Sequence, residues 1–266
     1  MLHVGIIGYG AIGRDVARYI AEGKAGRSVL AGVLVRPGRR AATGLDPALV
    51  DEDVAAFLAR PLDVVVEAAG HEAVRRYAAE VLAGGRDLIV VSVGALADPA
   101  LLDAVVRATE ASGRRVFLPS AAIAGLDRIA AGATGTLEAV TLTTRKPPRA
   151  WVGTPVEAQV PLAELSEPVC VFDGTARDAA LRFPESVNVA AALSLAGAGF
   201  DRTQVRVFVD PTVTENVHEL TAVGAFGRLE VTIRNAPSAN PKTGVAVAMS
   251  VAKVLRNLSE PLVVGI

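Results

Sequence analysis

Two stretches of this chain carry groups suited to chemistry. The first is Gly8-Tyr9-Gly10-Ala11-Ile12-Gly13, entered from the apolar run Leu2–Ile7 and followed by the amphipathic run Arg14–Ala25. A strand that passes through a Gly-x-Gly-x-x-Gly loop into a helix presents backbone N–H groups at a helix N-terminus, where the pyrophosphate of a dinucleotide can sit. Gly8 permits the tight turn, Gly10 lets phosphates approach the backbone, and Gly13 lets the helix pack against the strand. A chain with 25 glycines produces such spacings by chance, so the strand before the loop and the helix after it carry the reading. The second stretch is Thr214–Leu220, which holds His218, one of three histidines. An imidazole with an ordinary pKa of about 6.5 takes and returns protons near neutrality. Spacing alone leaves His218 open between an acid/base and a hydrogen-bonded structural residue. His3 lies within the first strand, and His71 reads as a helix cap or a contact to a nicotinamide ring.

Other positions bear on the choice of cofactor. An acid at the end of the second strand would hold the adenosine ribose 2′-OH, whereas an arginine there would pair with a 2′-phosphate. After the strand Ser28–Val35 the chain has Arg36-Pro37-Gly38-Arg39-Arg40 and no acid. NAD or NADP is therefore the cofactor expected, with Arg36 favouring NADP unless the arginines form a solvated loop. The apolar run Asp63–Gly70 ends in Ala68-Ala69-Gly70, and small residues such as Ala69 at a strand's carboxyl end leave room for the cofactor.

The elements that must position these groups follow from hydrophobic patterning. Hydrophobic residues make up 51% of 266 and aromatics only 4%, which suits an Ala/Val/Leu/Ile core under a helix-covered parallel sheet. Buried-strand runs at 63–70, 88–94 and 115–118 alternate with helical runs at 50–58, 72–82 and 98–111, predicting an α/β, doubly wound parallel sheet of the Rossmann type over residues 1–120. Beyond Pro119 the strands alternate: Val140 and Leu142, then Val205, Val207 and Val209, then Leu229, Val231 and Ile233, each separated by polar residues. Period two means one buried face. This predicts a second α+β domain over 121–240, with a largely antiparallel open sheet and helices at 175–182 and 186–198. A last helix, 243–258 within the segment 241–266, is expected to pack back on the first domain through Ala246, Met249, Val251 and Leu255, with Thr243 as its N-cap.

Six segments taken in order resemble L-aspartate dehydrogenase: the glycine loop; Pro119-Ser120-Ala121-Ala122-Ile123-Ala124-Gly125-Leu126-Asp127; Thr144–Pro148; Phe183-Pro184-x-x-Val187-Asn188-Val189-Ala190-Ala191; Asn216-Val217-His218-Glu219; and Asn235-x-Pro237-Ser238-x-Asn240–Gly244. The likeness runs from about residue 2 to 256. It implies oxidation of L-aspartate by NAD or NADP to iminoaspartate, which feeds NAD biosynthesis or hydrolyses to oxaloacetate and ammonia. It also implies that His218 is the acid/base and that Ala122 and Asn188 contact the cofactor. Ala121 stands where the pattern leads one to expect glycine, and Ser186 where an amide side chain is common; both bear on cofactor affinity rather than reaction type. A substrate with two carboxylates needs cations and hydrogen-bond donors. Lys242 and Thr243 at a helix start offer these, with Ser120 a further substrate contact and Arg145 and Lys146 weaker candidates.

Formal net charge is −1 with dispersed basic residues, which suggests a small-molecule partner rather than nucleic acid or an anionic membrane. The lone Cys170 allows neither a disulfide framework nor a zinc cluster, so no metal is expected and a reducing cytoplasm fits. An open sheet with one apolar outer face would allow a homodimer. Two other readings are a reductase of the dihydrodipicolinate reductase type, for which an adjacent His-His pair is expected and not found, and a nucleotide-sensing module, which has no need of a histidine-bearing pocket.

Overall fold

The structure, a computed structural model, describes residues 1–183, 188–236 and 244–265. It divides into two units, Met1–Ala121 with Val247–Ile266, and Ala122–Ala246. The first unit contains β1 (Leu2–Ile7), α1 (Ala11–Ala21), β2 (Ser28–Leu34), β3 (Val50–Asp51), α2 (Val54–Leu58), β4 (Val64–Glu67), α3 (His71–Ala83), β5 (Asp87–Val90), α4 (Pro99–Ser112) and β6 (Val116–Phe117). Its six strands lie in the order β3-β2-β1-β4-β5-β6, and every adjoining pair is parallel. The chain steps outward from β1 to β3 and then returns to β4 on the other side of β1. That reversal opens a crevice beyond the carboxyl ends of β1 and β4, where such sheets bind ligands. The central strands are buried on both faces: Val4, Ile6, Val65 and Val66 are fully enclosed, which is why they read as continuous apolar runs.

The second unit contains α5 (Leu126–Gly132), β7 (Leu137–Lys146), β8 (Val169–Thr175), α6 (Ala176–Arg182), α7 (Asn188–Ala196), β9 (Thr203–Val209), β10 (Asn216–Gly224) and β11 (Gly227–Asn235). Its strands are ordered β11-β10-β7-β9-β8. All pairs are antiparallel except β7–β9, which is parallel. One face is buried, with Val140, Leu142, Val205 and Leu220 directed inward. The outward rows, Thr141, Thr143, Gln204, Arg206, Glu219 and Thr221, are polar. Among the described residues, the sheet therefore lacks the apolar outer face expected as a dimerisation surface.

Three other local expectations are corrected. Residues 50–58 do not form one helix: Val50–Asp51 pairs with β2 as β3, and the Asp53 carboxylate accepts from the Ala56 N–H to start α2 at Val54. β8 goes unanticipated because its burial shows no alternation, and Cys, Asp and Gly interrupt its apolar residues. The final helix, α8 (Ala246–Ser259), buries Val247, Ala248, Val251, Ala252 and Leu255 against Val4, Ile6, Val16 and Val33 of the first unit's core. Spacings of four along 247-251-255 and 248-252 set that stripe, and Met249 is left exposed. Among the described residues no helix is long and apolar enough to cross a membrane.

Candidate active site

In the first unit, β1 delivers the chain into the glycine loop. Gly8 takes φ +93°, and a Cβ there would lie 2.7 Å from the Ala69 side chain and 2.8 Å from the Ala68 carbonyl. Gly13 fits for a different reason than packing on the strand alone: its Cβ would lie 2.2 Å from the Gly8 carbonyl, so the first turn of α1 closes on the loop itself. Gly10 is the N-cap of α1 with no side chain capping it, and a Cβ there would meet nothing within 4 Å. Open space before an uncapped helix N-terminus is what a pyrophosphate needs.

This loop borders a cavity of about 720 Å³ whose lining includes Gly8, Gly10, Arg36, Ala69, Arg76 and Tyr77. That volume lies within the range of small-molecule and cofactor sites, roughly 300–1,000 Å³. Glu67 shapes the opposite wall. Its buried carboxylate accepts from the Ala69 and Gly70 N–H groups, both at 2.8 Å, and from the Ser92 N–H and hydroxyl, both at 3.0 Å. The Ala68-Ala69-Gly70 turn is thereby fixed with small residues toward the cavity. A buried acid inside an apolar strand is the sequence signal for such an organiser, since an unpaired carboxylate is too costly to bury.

In the second unit, β10 carries His218 and β7 carries Thr144 directly opposite it. Both side chains are buried on the inner face, and Thr144 Oγ1 lies 3.0 Å from His218 Nδ1. Burial first, and the nearby Lys146 ammonium second, lower the His218 pKa from 6.5 to about 4. The imidazole is neutral at pH 7. Lys146 also stands over the Trp151 ring, 5.3 Å from its centroid. Arg145 is committed elsewhere: its guanidinium donates to Glu219 at 3.1 Å and to Asp210 at 3.2 Å. Burial pushes the Asp210 carboxyl up, but hydrogen bonds from Thr212 and Arg145 outweigh it and leave the group below its ordinary range. Arg145 is thus already matched by two carboxylates, which weighs against a role in holding substrate.

The cavity gathers Gly8, Gly10, Arg36 and Ala69, while Ala11, Ile12 and Gly13 form the first turn of α1 behind it. Ser120 lies in the loop after β6. Ala122 and Asn188 belong to the second unit; the Ala122 carbonyl accepts from the Asn235 amide at 2.9 Å, and Asn188 opens α7. Ala121, where glycine was expected, has φ +51°, the left-handed region that glycine favours. Its N–H donates to the Ser250 hydroxyl of α8 at 3.1 Å. Lys242, Thr243 and Ser186 lie outside the described residues. Sequence reasoning gave no role to Thr144, Glu67 or Arg76: Thr144 meets His218 only through strand register, Glu67 reaches Ser92 just beyond β5, and Arg76 reaches the cavity through the face α3 presents.

The chain can be set beside known proteins. A family model described as aspartate dehydrogenase, C-terminal, matches residues 127–258, and one described as homoserine dehydrogenase, NAD binding domain, matches residues 8–119. The chain is 41% identical over 263 residues to the L-aspartate dehydrogenase of Ralstonia pickettii, covering 97% of each chain. It is 39% identical over 272 residues to that of Methanosarcina barkeri, covering 100% of each. The crystal structure of aspartate dehydrogenase from Thermotoga maritima matches with a TM-score of 0.82 at 26% identity over 100% of both chains. With that agreement along its whole length, in both units and in fold as well as sequence, this chain belongs to the L-aspartate dehydrogenase family.

Proposed function

We propose that the protein catalyses the oxidative deamination of L-aspartate with NAD or NADP, giving iminoaspartate, which either feeds NAD biosynthesis or hydrolyses to oxaloacetate and ammonia. The observation that carries this reading is the full-length kinship to proteins named L-aspartate dehydrogenase. The first unit fits a dinucleotide: Gly10 leaves open space before an uncapped helix, Ala69 keeps the opposite wall low, and Arg36 lines the same cavity. Gly8, Ala11, Ile12 and Gly13 build the loop that holds the pyrophosphate, and Ala122 and Asn188 are further cofactor contacts. A nicotinamide dinucleotide supplies the two-electron acceptor for the hydride that leaves the substrate Cα.

The protein's own residues handle protons and orientation. L-Aspartate arrives as an ammonium ion and must lose a proton before its Cα hydride can leave. His218 accepts that proton. It is neutral at pH 7, and in the tautomer whose Nδ1–H donates to Thr144 Oγ1, 3.0 Å away, its Nε2 lone pair is available. The Lys146 charge disfavours the imidazolium, so the proton passes on rather than resting there. The substrate's two carboxylates oppose that field and make the imidazole more basic when aspartate is bound. His218 also activates the water that hydrolyses the imine. Ser120, Lys242 and Thr243 are the substrate contacts.

We further read the enzyme as a cytoplasmic homodimer with a small-molecule substrate and no nucleic-acid or membrane partner. The dispersed charge supports a small-molecule partner, and the lone thiol of Cys170 supports a reducing compartment. The test of the catalytic reading is His218→Ala: dinucleotide titration should be retained while aspartate-dependent formation of reduced cofactor falls. Undiminished turnover in that variant would remove His218 from the mechanism.

A further inference from the structure

The lining of the cavity beside the glycine loop is net positive, and among the described residues most of its arginines are unpaired. Four arginines line it, Arg14, Arg36, Arg39 and Arg76, together with three acids, Glu52, Asp53 and Glu72. Each acid keeps its charge but, among the described residues, none pairs with a lining arginine: Glu52 accepts from the Arg40 N–H at 2.9 Å, Asp53 caps α2, and the nearest cation to Glu72 is Arg75, 3.9 Å away and not part of the lining. Arg14 is engaged, donating to the carbonyls of Tyr9 at 3.3 Å and Ala42 at 3.4 Å, which ties the loop after β2 to the glycine loop. Among the described residues the guanidinium groups of Arg36, Arg39 and Arg76 make no ion pair. Arg76 lies against the neighbouring Tyr77 ring, 5.2 Å from its centroid. Four arginines against three acids leave the lining net positive, and the guanidinium groups of Arg36, Arg39 and Arg76 remain available to an anion that enters it.

We infer that this cavity selects the dinucleotide bearing a 2′-phosphate, with Arg39 from the β2 loop and Arg76 from α3 joining Arg36 as its specificity-determining residues. The inference rests on the dinucleotide reading above and deepens it. A phosphate dianion gains from each added cation through charge-assisted hydrogen bonds. A ribose 2′-hydroxyl gains little from a cation, and the acids nearest the β2 loop, Glu52 and Asp53, already accept from the backbone N–H groups of Arg40 and Ala56. Glu52 contributes by holding the Arg40 backbone, which fixes the loop that carries Arg36 and Arg39.

The test is calorimetric or fluorescence titration of the full-length protein with NADPH and NADH, and with 2′-phospho-AMP against 5′-AMP, which carry no nicotinamide. The expected result is at least tenfold tighter binding of each phosphorylated ligand, with the preference shrinking as NaCl is raised. The double variant R39A/R76A should lose at least tenfold in NADPH affinity and less than twofold in NADH affinity. Equal affinities in the wild-type protein, or equal losses for both nucleotides in the variant, would overturn the inference while leaving the dinucleotide site standing. Failure of both nucleotides to bind would overturn the site and the inference with it. The salt dependence uses the unaltered protein, so the result does not depend on how the variant folds.

Discussion

The buried imidazole makes a stability prediction that can be worked through. His218 has its pKa lowered from 6.5 to about 4, by burial first and by Lys146 second. Between those two values the unfolded chain binds a proton that the folded chain does not, so stability rises with pH across that window. The contribution is fully present above pH 6.5 and is lost as the pH falls toward 4. Each pH unit in the window is worth about 1.4 kcal/mol, giving about 3 kcal/mol in all and about 2 kcal/mol between pH 7.5 and 5.0. The variant His218→Gln keeps a hydrogen-bonding side chain opposite Thr144 and never acquires a charge. Urea unfolding can be followed by the emission of Trp151, the sole tryptophan, which is buried in the same unit as His218. Moving from pH 7.5 to 5.0, the wild-type protein should lose about 2 kcal/mol more than the variant. The buried Asp210, whose pKa is low, titrates below this window and is common to both proteins, so it cancels. Parallel losses in the two proteins would refute the burial argument, and with it the claim that the imidazole stands neutral and ready to take a proton.

Three further outcomes follow from the geometry. His218→Ala should retain NAD(P)H titration while its aspartate-dependent rate falls by at least ~10²-fold, the usual range for losing an acid/base. Thr144→Val removes the hydroxyl opposite Nδ1 and should lower kcat with KM nearly unchanged and a shifted pH profile, whereas Thr144→Ser should restore both in steady-state assays. The glycines separate stability from binding. Gly13→Ala places a methyl against the Gly8 carbonyl and should cost about 1–3 kcal/mol in urea unfolding. Gly10→Ala meets nothing within 4 Å and should leave stability unchanged while weakening dinucleotide binding.

Much of the first unit was legible because its signals are local. An apolar strand, a glycine loop and an amphipathic helix occupy Leu2–Ala21 without a break, and the βα alternation specifies a parallel sheet by the connections it requires. At Ala121 the family resemblance leads to the expectation of glycine, but only the structure shows the left-handed backbone that glycine would favour. Cross-strand facts were not legible. The pairing of Thr144 with His218 depends on the register of β7 against β10, 74 residues apart, and no periodicity within either strand encodes that register. Alternation announced a buried face in the second sheet, yet it is the same for a parallel and an antiparallel neighbour, so the parallel β7–β9 pair was invisible. Arg36 could be read by its place after a strand. Arg76 could not, because its approach to the cavity depends on which face α3 turns toward the sheet. The roles of Arg145 shifted for a similar reason, since Asp210 and Glu219 reach it only once the strands are assembled.

The central claim is tested most directly by absorbance in the reduced-nicotinamide band, with purified protein, each of NAD and NADP, and a panel of amino acids. The account predicts a rise with L-aspartate, and little or none with L-glutamate, L-alanine or L-homoserine. No signal with aspartate under either cofactor, or an equal signal across the panel, would contradict it.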